Sequence, residues 1–312
     1  MKYLSYKRDG LESIGLWVND LIFDIPQAAR FKGIRKMPGT LLEFLDQFDN
    51  NHQTITSIFA EVNPAKNPEL FFPAGQATIL PPLPHPGSLR DFYAFENHVK
   101  TARKNRGLDM IPEWYDFPVF YFSNHQAVYG PENVIPYPLE SNALDYELEV
   151  AAIIGKRGRN IPENDADTYI AGYTIMNDWS ARDIQREEMK VGLGPAKGKD
   201  FATSLGPWLV SRDELASHRT KSLYNLPMTA IVNGKKYSSG NWNTLYYSFA
   251  QMIARASENC TLYPGDVIGS GTVGTGCILE LGSEKYGWLQ PGDEVILEIE
   301  GLGRLRNTIG PE

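Results

Sequence analysis

Acidic side chains offer the first chemistry in this sequence. In LDYELEVAAIIGK, residues 144–156, Asp145, Glu147 and Glu149 are spaced by two, so on a strand they share one face while Tyr146, Leu148 and Val150 share the other. The apolar continuation Ala151, Ala152, Ile153, Ile154 indicates a strand covered on both sides, which keeps those carboxylates from bulk water. Two carboxylates ~4 Å apart repel by on the order of 4 kcal/mol at an effective dielectric of about 20, and desolvation adds to the cost. A proton, an arginine or a divalent cation could neutralise them. An edge strand with a wet acidic face would need none of the three.

Further acidic positions follow the same logic. In TIMNDWSARDIQ an apolar strand ends at Asn177-Asp178, and Ser180 is placed to cap a helix beginning ARDIQ. In LRDFYAFENHVK, Asp91 precedes His98 by seven residues, two helical turns, a spacing that could set both on one face. Asp91, Glu147, Glu149 and Asp178 together form an all-oxygen set with no Cys/His cluster beside it. Such a set suits a hard cation, Mg²⁺, Mn²⁺ or Ca²⁺, rather than zinc.

Other motifs carry less. GSGTVG, Gly269 to Gly274, satisfies G-x-G-x-x-G after a strand, but the following CILELG looks strand-like, so a Gly-rich turn with the Thr272 hydroxyl fits better than a dinucleotide site. GPAKGKDFATS lacks the spacing of a phosphate-binding loop, and no G-x-S-x-G elbow occurs.

The elements that must position these residues are mostly strands. The chain has 312 residues, 42% hydrophobic and 22% charged, with 28 Gly and 21 Pro, a turn-rich globular composition. The run ATILPPLPHPGSLRD, with Pro81, Pro82, Pro84 and Pro86, is expected to be an extended linker. It divides a small β-rich segment, residues 1–79, from a larger domain, residues 80–312. Strands are expected at ELEVAAIIG, GYTIMNDW, PMTAIVNG, GDVIGSGTV, CILELG and DEVILEIEG, and helices at FENHVKTARKN, ENDADTYI, SARDIQREEMK and LYYSFAQMIARASE. A net charge of -8 argues against nucleic acid as partner. Cys260 and Cys277 lack CxxC spacing, and no run of 18 apolar residues is present, so a cytoplasmic protein with free thiols, no membrane partner and a small-molecule substrate is expected.

Five ordered motifs, DFYAFENH, LDYELEV, GYTIMNDWSARDIQ, GKDFATSLGPW and GSGTVGTGCILELG, resemble the fumarylacetoacetate hydrolase family across residues 91 to 281. The resemblance implies an α+β, β-rich fold: a C-terminal mixed β-roll domain after a small N-terminal SH3-like β domain. It implies Asp91, Glu147, Glu149 and Asp178 as ligands of Mg²⁺, Mn²⁺ or Ca²⁺, with Lys199 and Thr203 near a second or structural ion. It further implies His98 as general base, Glu280 as its orienting partner, Lys199 and Gln185 as oxyanion support, and Tyr93, Tyr121, Gln185 and Thr272 as substrate contacts. The family's substrate arginine falls on Arg106 or Arg103, and an expected tyrosine is replaced by Met189. The implied activity is metal-dependent hydrolysis of a carbon–carbon bond in a β-diketone or acylpyruvate-type acid, as in aromatic amino acid catabolism, by a homodimer. A decarboxylase or tautomerase acting on oxaloacetate is the alternative within the fold, and a non-catalytic metabolite-binding protein the alternative outside it.

Overall fold

A computed structural model describes residues 1–105 and 107–311. Strands β1 (Lys2–Arg8), β2 (Leu11–Val18) and β3 (Leu21–Asp24) form an antiparallel meander. Asp9-Gly10 and Asn19-Asp20 take positive φ at both turn residues, the twist that tight two-residue hairpins require. Three helices follow, α1 (Ile25–Phe31), α2 (Leu41–Leu45) and α3 (Phe48–Glu61). Asp24 caps α1, and Thr40 with Glu43 closes a capping box on α2. β4 (Phe71–Pro73) then pairs with β3. The proline run is extended and tucked in: Pro81 and Pro82 are buried, and Ser5 donates its hydroxyl to Pro82 O at 2.8 Å.

The elements that carry the acidic motifs come next. They are β5 (Leu89–Phe92), α4 (Glu96–Lys104), β6 (Phe120–Ser123), β7 (Val134–Ile135), β8 (Leu148–Ile154), β9 (Ile170–Asp178), α5 (Arg182–Met189) and β10 (Thr203–Ser211). After them come β11 (Pro227–Val232), β12 (Lys235–Asn241), α6 (Phe249–Ser257), β13 (Val267–Gly269), α7 (Ile278–Leu281), β14 (Glu294–Ile299) and β15 (Gly303–Ile309). Among the described residues the main sheet is 12-stranded and mixed: ten strands run in the order β4-β3-β2-β1-β10-β9-β8-β13-β5-β6, and two short ones, Thr78–Ile79 on β1 and Val128–Tyr129 on β10, lie off that path. β1 pairs with β10 through Lys2↔Val210 and Tyr3↔Leu209, so the sheet continues across the linker. A 5-stranded sheet, β12-β11-β14-β15-β7, packs on the other side. The protein is α+β and β-rich. Among the described residues no helix is long and apolar enough to cross a membrane.

Alternation explains where the core divides. In β8, Leu148, Val150, Ala152 and Ile154 join the core shared with the smaller sheet, while Ala151 and Ile153 join the core under α1–α3. Glu149 shares the parity of Ala151, Asp91 that of Leu89, and Asp178 that of Met176, all on the second face. Three carboxylates thus stand on one face of neighbouring strands, where that face runs out of apolar cover. The wet edge strand is excluded, because β8 lies inside the sheet and is buried throughout.

Three local expectations are corrected. CILELG is a one-turn helix, α7, and not a strand: the Ile278 and Leu279 N–H groups donate to Asp145 Oδ1 and Oδ2 at 2.8 and 3.0 Å, so a carboxylate far away in sequence satisfies the free donors of its first turn. Ser180 does not cap α5. It pairs with Asp145 in a short ladder and gives its hydroxyl to Asp178 O, leaving Ala181 at the cap position. Asp91 and His98 do not share a helix face, since Asp91 lies on β5 and α4 begins only at Glu96.

Candidate active site

The acidic centre forms beside the ends of β5, β8 and β9, with β13 between β5 and β8 and Glu147 just ahead of β8. Carboxylate oxygens of Asp91, Glu147 and Asp178 lie within 4.8 Å of one another, and all three residues are buried. Their approach depends on Gly269, the register partner of Asp91: a Cβ there would stand 2.5 Å from Asp91 Oδ1 and 2.6 Å from Met176 Cε. Gly271, at φ +77°, turns its N–H onto Asp91 Oδ1 and Glu149 Oε2, each at 3.1 Å. Glu149 is therefore beside the group rather than in it, and its other oxygen takes the Thr272 hydroxyl at 3.4 Å.

Two buried cations answer this charge. Lys199 Nζ donates to Glu147 Oε2 at 2.6 Å and to Asp178 Oδ2 at 2.7 Å. Arg182 lies 2.7 Å from Glu147 Oε1 and donates through Nε to Asp145 Oδ2 at 2.9 Å. Asp145 thus serves Arg182 and the start of α7, not the cluster. Tyr121, on β6, donates its hydroxyl to Asp178 Oδ2. The ionisation states divide accordingly. Burial pushes Glu147 up, but Lys199 and Arg182 overcome it and hold the carboxyl down at about 2. Asp91 and Glu149 are pushed well above the carboxylate range, first by burial and then by the charges of their acidic neighbours. Asp178 is raised by burial, which Lys199 only partly offsets. Burial disfavours the charged form of Lys199, yet Asp178 and Glu147 keep its proton on.

The second group is His98 with Glu280. His98, in the first turn of α4, pairs through Nδ1 with Glu280 Oε1, and Glu280 Oε2 accepts the Thr275 N–H at 2.6 Å. The two side chains are nearly buried, 6% and 2% exposed. His98 lies close enough to Glu147 for the two side chains to interact electrostatically. Tyr93 meets the His98 ring edge to face, with centroids 5.3 Å apart.

The remaining residues are placed as follows. Gln185 accepts from Arg182 at 3.1 Å, one turn into α5. Thr203 lies opposite Asp178 in register, its hydroxyl 3.5 Å from that of Ser123. Arg103 turns back to Asp109 O and not toward the acidic residues. Arg106 lies outside the described residues. Met189 is 42% exposed at the end of α5. A cleft of about 210 Å³, lined by Tyr121, Phe122, Asn124, Pro195, Lys199 and Asp200, reaches the two donors that hold Asp178.

The donor set fits a divalent cation. Asp178 Oδ1 is buried with no hydrogen-bond partner, an orphaned charge-bearing atom in a cluster of oxygens, and a hard ion is what such ligands accept. Lys199 carries its proton and has no lone pair to give, so it is a second positive charge beside that position and not a ligand. Arg182 was not singled out from the sequence. The signal was available in charge balance, because buried carboxylates in this number need cations and Arg182 sits in the same motif as Asp178.

Comparison with known proteins gives the family and the fold. The family model described as fumarylacetoacetate (FAA) hydrolase C-terminal matches residues 88–310. A mitochondrial oxaloacetate tautomerase of Rattus norvegicus is 32% identical over 279 residues, spanning 88% of this chain and 80% of that protein. The crystal structure of maleylpyruvate hydrolase from Sphingobium sp. SYK-6, in complex with manganese(II) and pyruvate, superposes with a TM-score of 0.72 at 21% identity, covering 100% of this chain and 99% of that one. The fumarylacetoacetate hydrolase of Exiguobacterium antarcticum gives 0.71 at 24% identity, covering 100% of both chains. At these identities the structural likeness speaks for the fold.

Proposed function

The chain belongs to the fumarylacetoacetate hydrolase family, and from that premise we propose that it hydrolyses a carbon–carbon bond in a 2-oxo acid of the acylpyruvate or fumarylacetoacetate type. Asp91, Glu147 and Asp178, with Glu149 beside them, are the cation ligands in this reading. The observation that carries it is the buried His98–Glu280 pair set beside a carboxylate cluster with one orphaned oxygen.

A divalent cation held there, when bound, supplies Lewis-acid polarisation of a carbonyl. Glu280 accepts the Nδ1–H of His98, which fixes the tautomer and leaves Nε2 free to take a proton from water. The hydroxide so formed attacks the carbonyl carbon, the adjacent carbon–carbon bond breaks, and its electron pair leaves as an enolate. Nε2 returns the proton to that carbon, restoring the neutral imidazole. Glu147 and Asp178 hold the Lys199 ammonium in place to face developing negative charge, and Gln185, its carbonyl taken by Arg182, has an amide N–H to add. Tyr93, Tyr121 and Thr272 line the approach in this reading.

A second reading, tautomerisation or decarboxylation of oxaloacetate, is favoured by the 32% identity to an oxaloacetate tautomerase. It needs the same cation and the same enolate but no attacking water. A panel of acylpyruvates and oxaloacetate, run with and without chelator and read by product mass and, for keto–enol exchange of oxaloacetate, by enol absorbance, decides between them. Two acids released from an acylpyruvate, lost with chelator, support hydrolysis. Turnover confined to oxaloacetate supports the second reading, and binding without turnover of any member refutes both.

A further inference from the structure

We propose that His98, Cys277 and Glu280 form a second, softer cation site that takes zinc and shuts off the His98–Glu280 pair. Cys277 immediately precedes α7 and Glu280 lies three residues on, so one helical turn aims the thiol and the carboxylate the same way. One donor atom from each residue, with His98 reaching in from α4, lies within 4.8 Å of the others. Cys277 Sγ is 3.9 Å from Glu280 Oε1, the same oxygen that meets His98 Nδ1. The Thr275 N–H holds the other oxygen, which fixes Oε1 between sulfur and imidazole.

This donor set is the opposite of the first. One sulfur, one nitrogen and one oxygen, with a fourth position open, is a zinc-type arrangement, whereas the cluster of Asp91, Glu147 and Asp178 is all oxygen. On binding, the Cys277 thiol releases its proton to solvent and coordinates as thiolate. The cation replaces the Nδ1–H···Oε1 hydrogen bond, and the imidazole proton moves to Nε2, the atom that must be empty to accept a proton from water. Occupancy of the site and proton acceptance by His98 therefore exclude each other. The inhibition rests on the reading of His98 as base; the binding does not.

The test uses the full chain saturated with Mg²⁺, with Co²⁺ as spectroscopic probe and Zn²⁺ as inhibitor. Co²⁺ should produce a thiolate-to-cobalt charge-transfer band in wild type and in Cys260→Ser, and none in Cys277→Ser or Cys277→Ala. Loss of an outer-shell partner alone costs 10–100-fold in metal affinity, so removing this thiolate should raise the Zn²⁺ concentration for half-inhibition by at least about 10-fold. A missing band in wild type, or a band lost in Cys260→Ser instead, overturns the site and leaves the proposed hydrolysis untouched. A band without zinc inhibition keeps the site and refutes His98 as the base.

Discussion

Lys199 Nζ lies 2.6 Å from Glu147 Oε2, with the two side chains 5% and 6% exposed. A charge pair this deep stabilises only while both members remain, because removal of one leaves the other desolvated and alone. Glu147 has a second cation in Arg182, whereas Asp178 has an oxygen with no partner. The site thus holds one fully answered carboxylate and one half-answered carboxylate, side by side.

Lys199→Met should destabilise the cation-free protein by about 3–5 kcal/mol, the range for breaking a buried pair. Added Mn²⁺ should recover more of that loss in the variant than it adds to wild type. Urea unfolding with and without Mn²⁺ measures both; equal stability of variant and wild type would refute the pairing as a structural need.

His98→Ala should lower kcat by about 10²–10⁴, the usual worth of positioned proton transfer, and leave Mn²⁺ affinity within a few-fold. Glu147→Gln should weaken both together. Steady-state kinetics beside Mn²⁺ calorimetry reads the split, and full activity of His98→Ala on every acid the wild type cleaves removes the base assignment.

Cation binding should release protons and tighten as pH rises. Asp91 and Glu149 share the Gly271 N–H, and burial raises both. Raised carboxyls contribute stability that is present below the unfolded carboxylate values near 4 and is lost as pH climbs through their folded values, so the cation-free protein should weaken from mildly acidic toward neutral pH. The cation needs the ionised forms and should reverse that slope. Calorimetry in two buffers of different ionisation enthalpy counts the protons, and a count of zero across this range contradicts the account.

The sequence made the acidic face legible only in part: the period of two holds within β8, which carries Glu149, whereas Glu147 lies just before that strand and Asp145 belongs to a separate short ladder and turns to Arg182 and α7. Helices α4, α5 and α6 were legible for a related reason: their polar and apolar residues repeat at helical spacing. What local pattern could not show was settled by distant partners. The β-like CILELG became α7 because Asp145, more than 130 residues earlier by chain position, caps it. Ser180 had the chemistry of a cap but was claimed by the ladder with Asp145. Nothing local in the sequence marks Arg182, whose role comes from Asp145 and Glu147, the two carboxylates that distant segments bring to either side of it.

The most direct measurement is the anomalous scattering of manganese in crystals soaked with Mn²⁺. The account predicts a peak bounded by the carboxylates of Asp91, Glu147 and Asp178, on the side of the orphaned Asp178 Oδ1. A peak elsewhere, or none at saturating Mn²⁺, would contradict it.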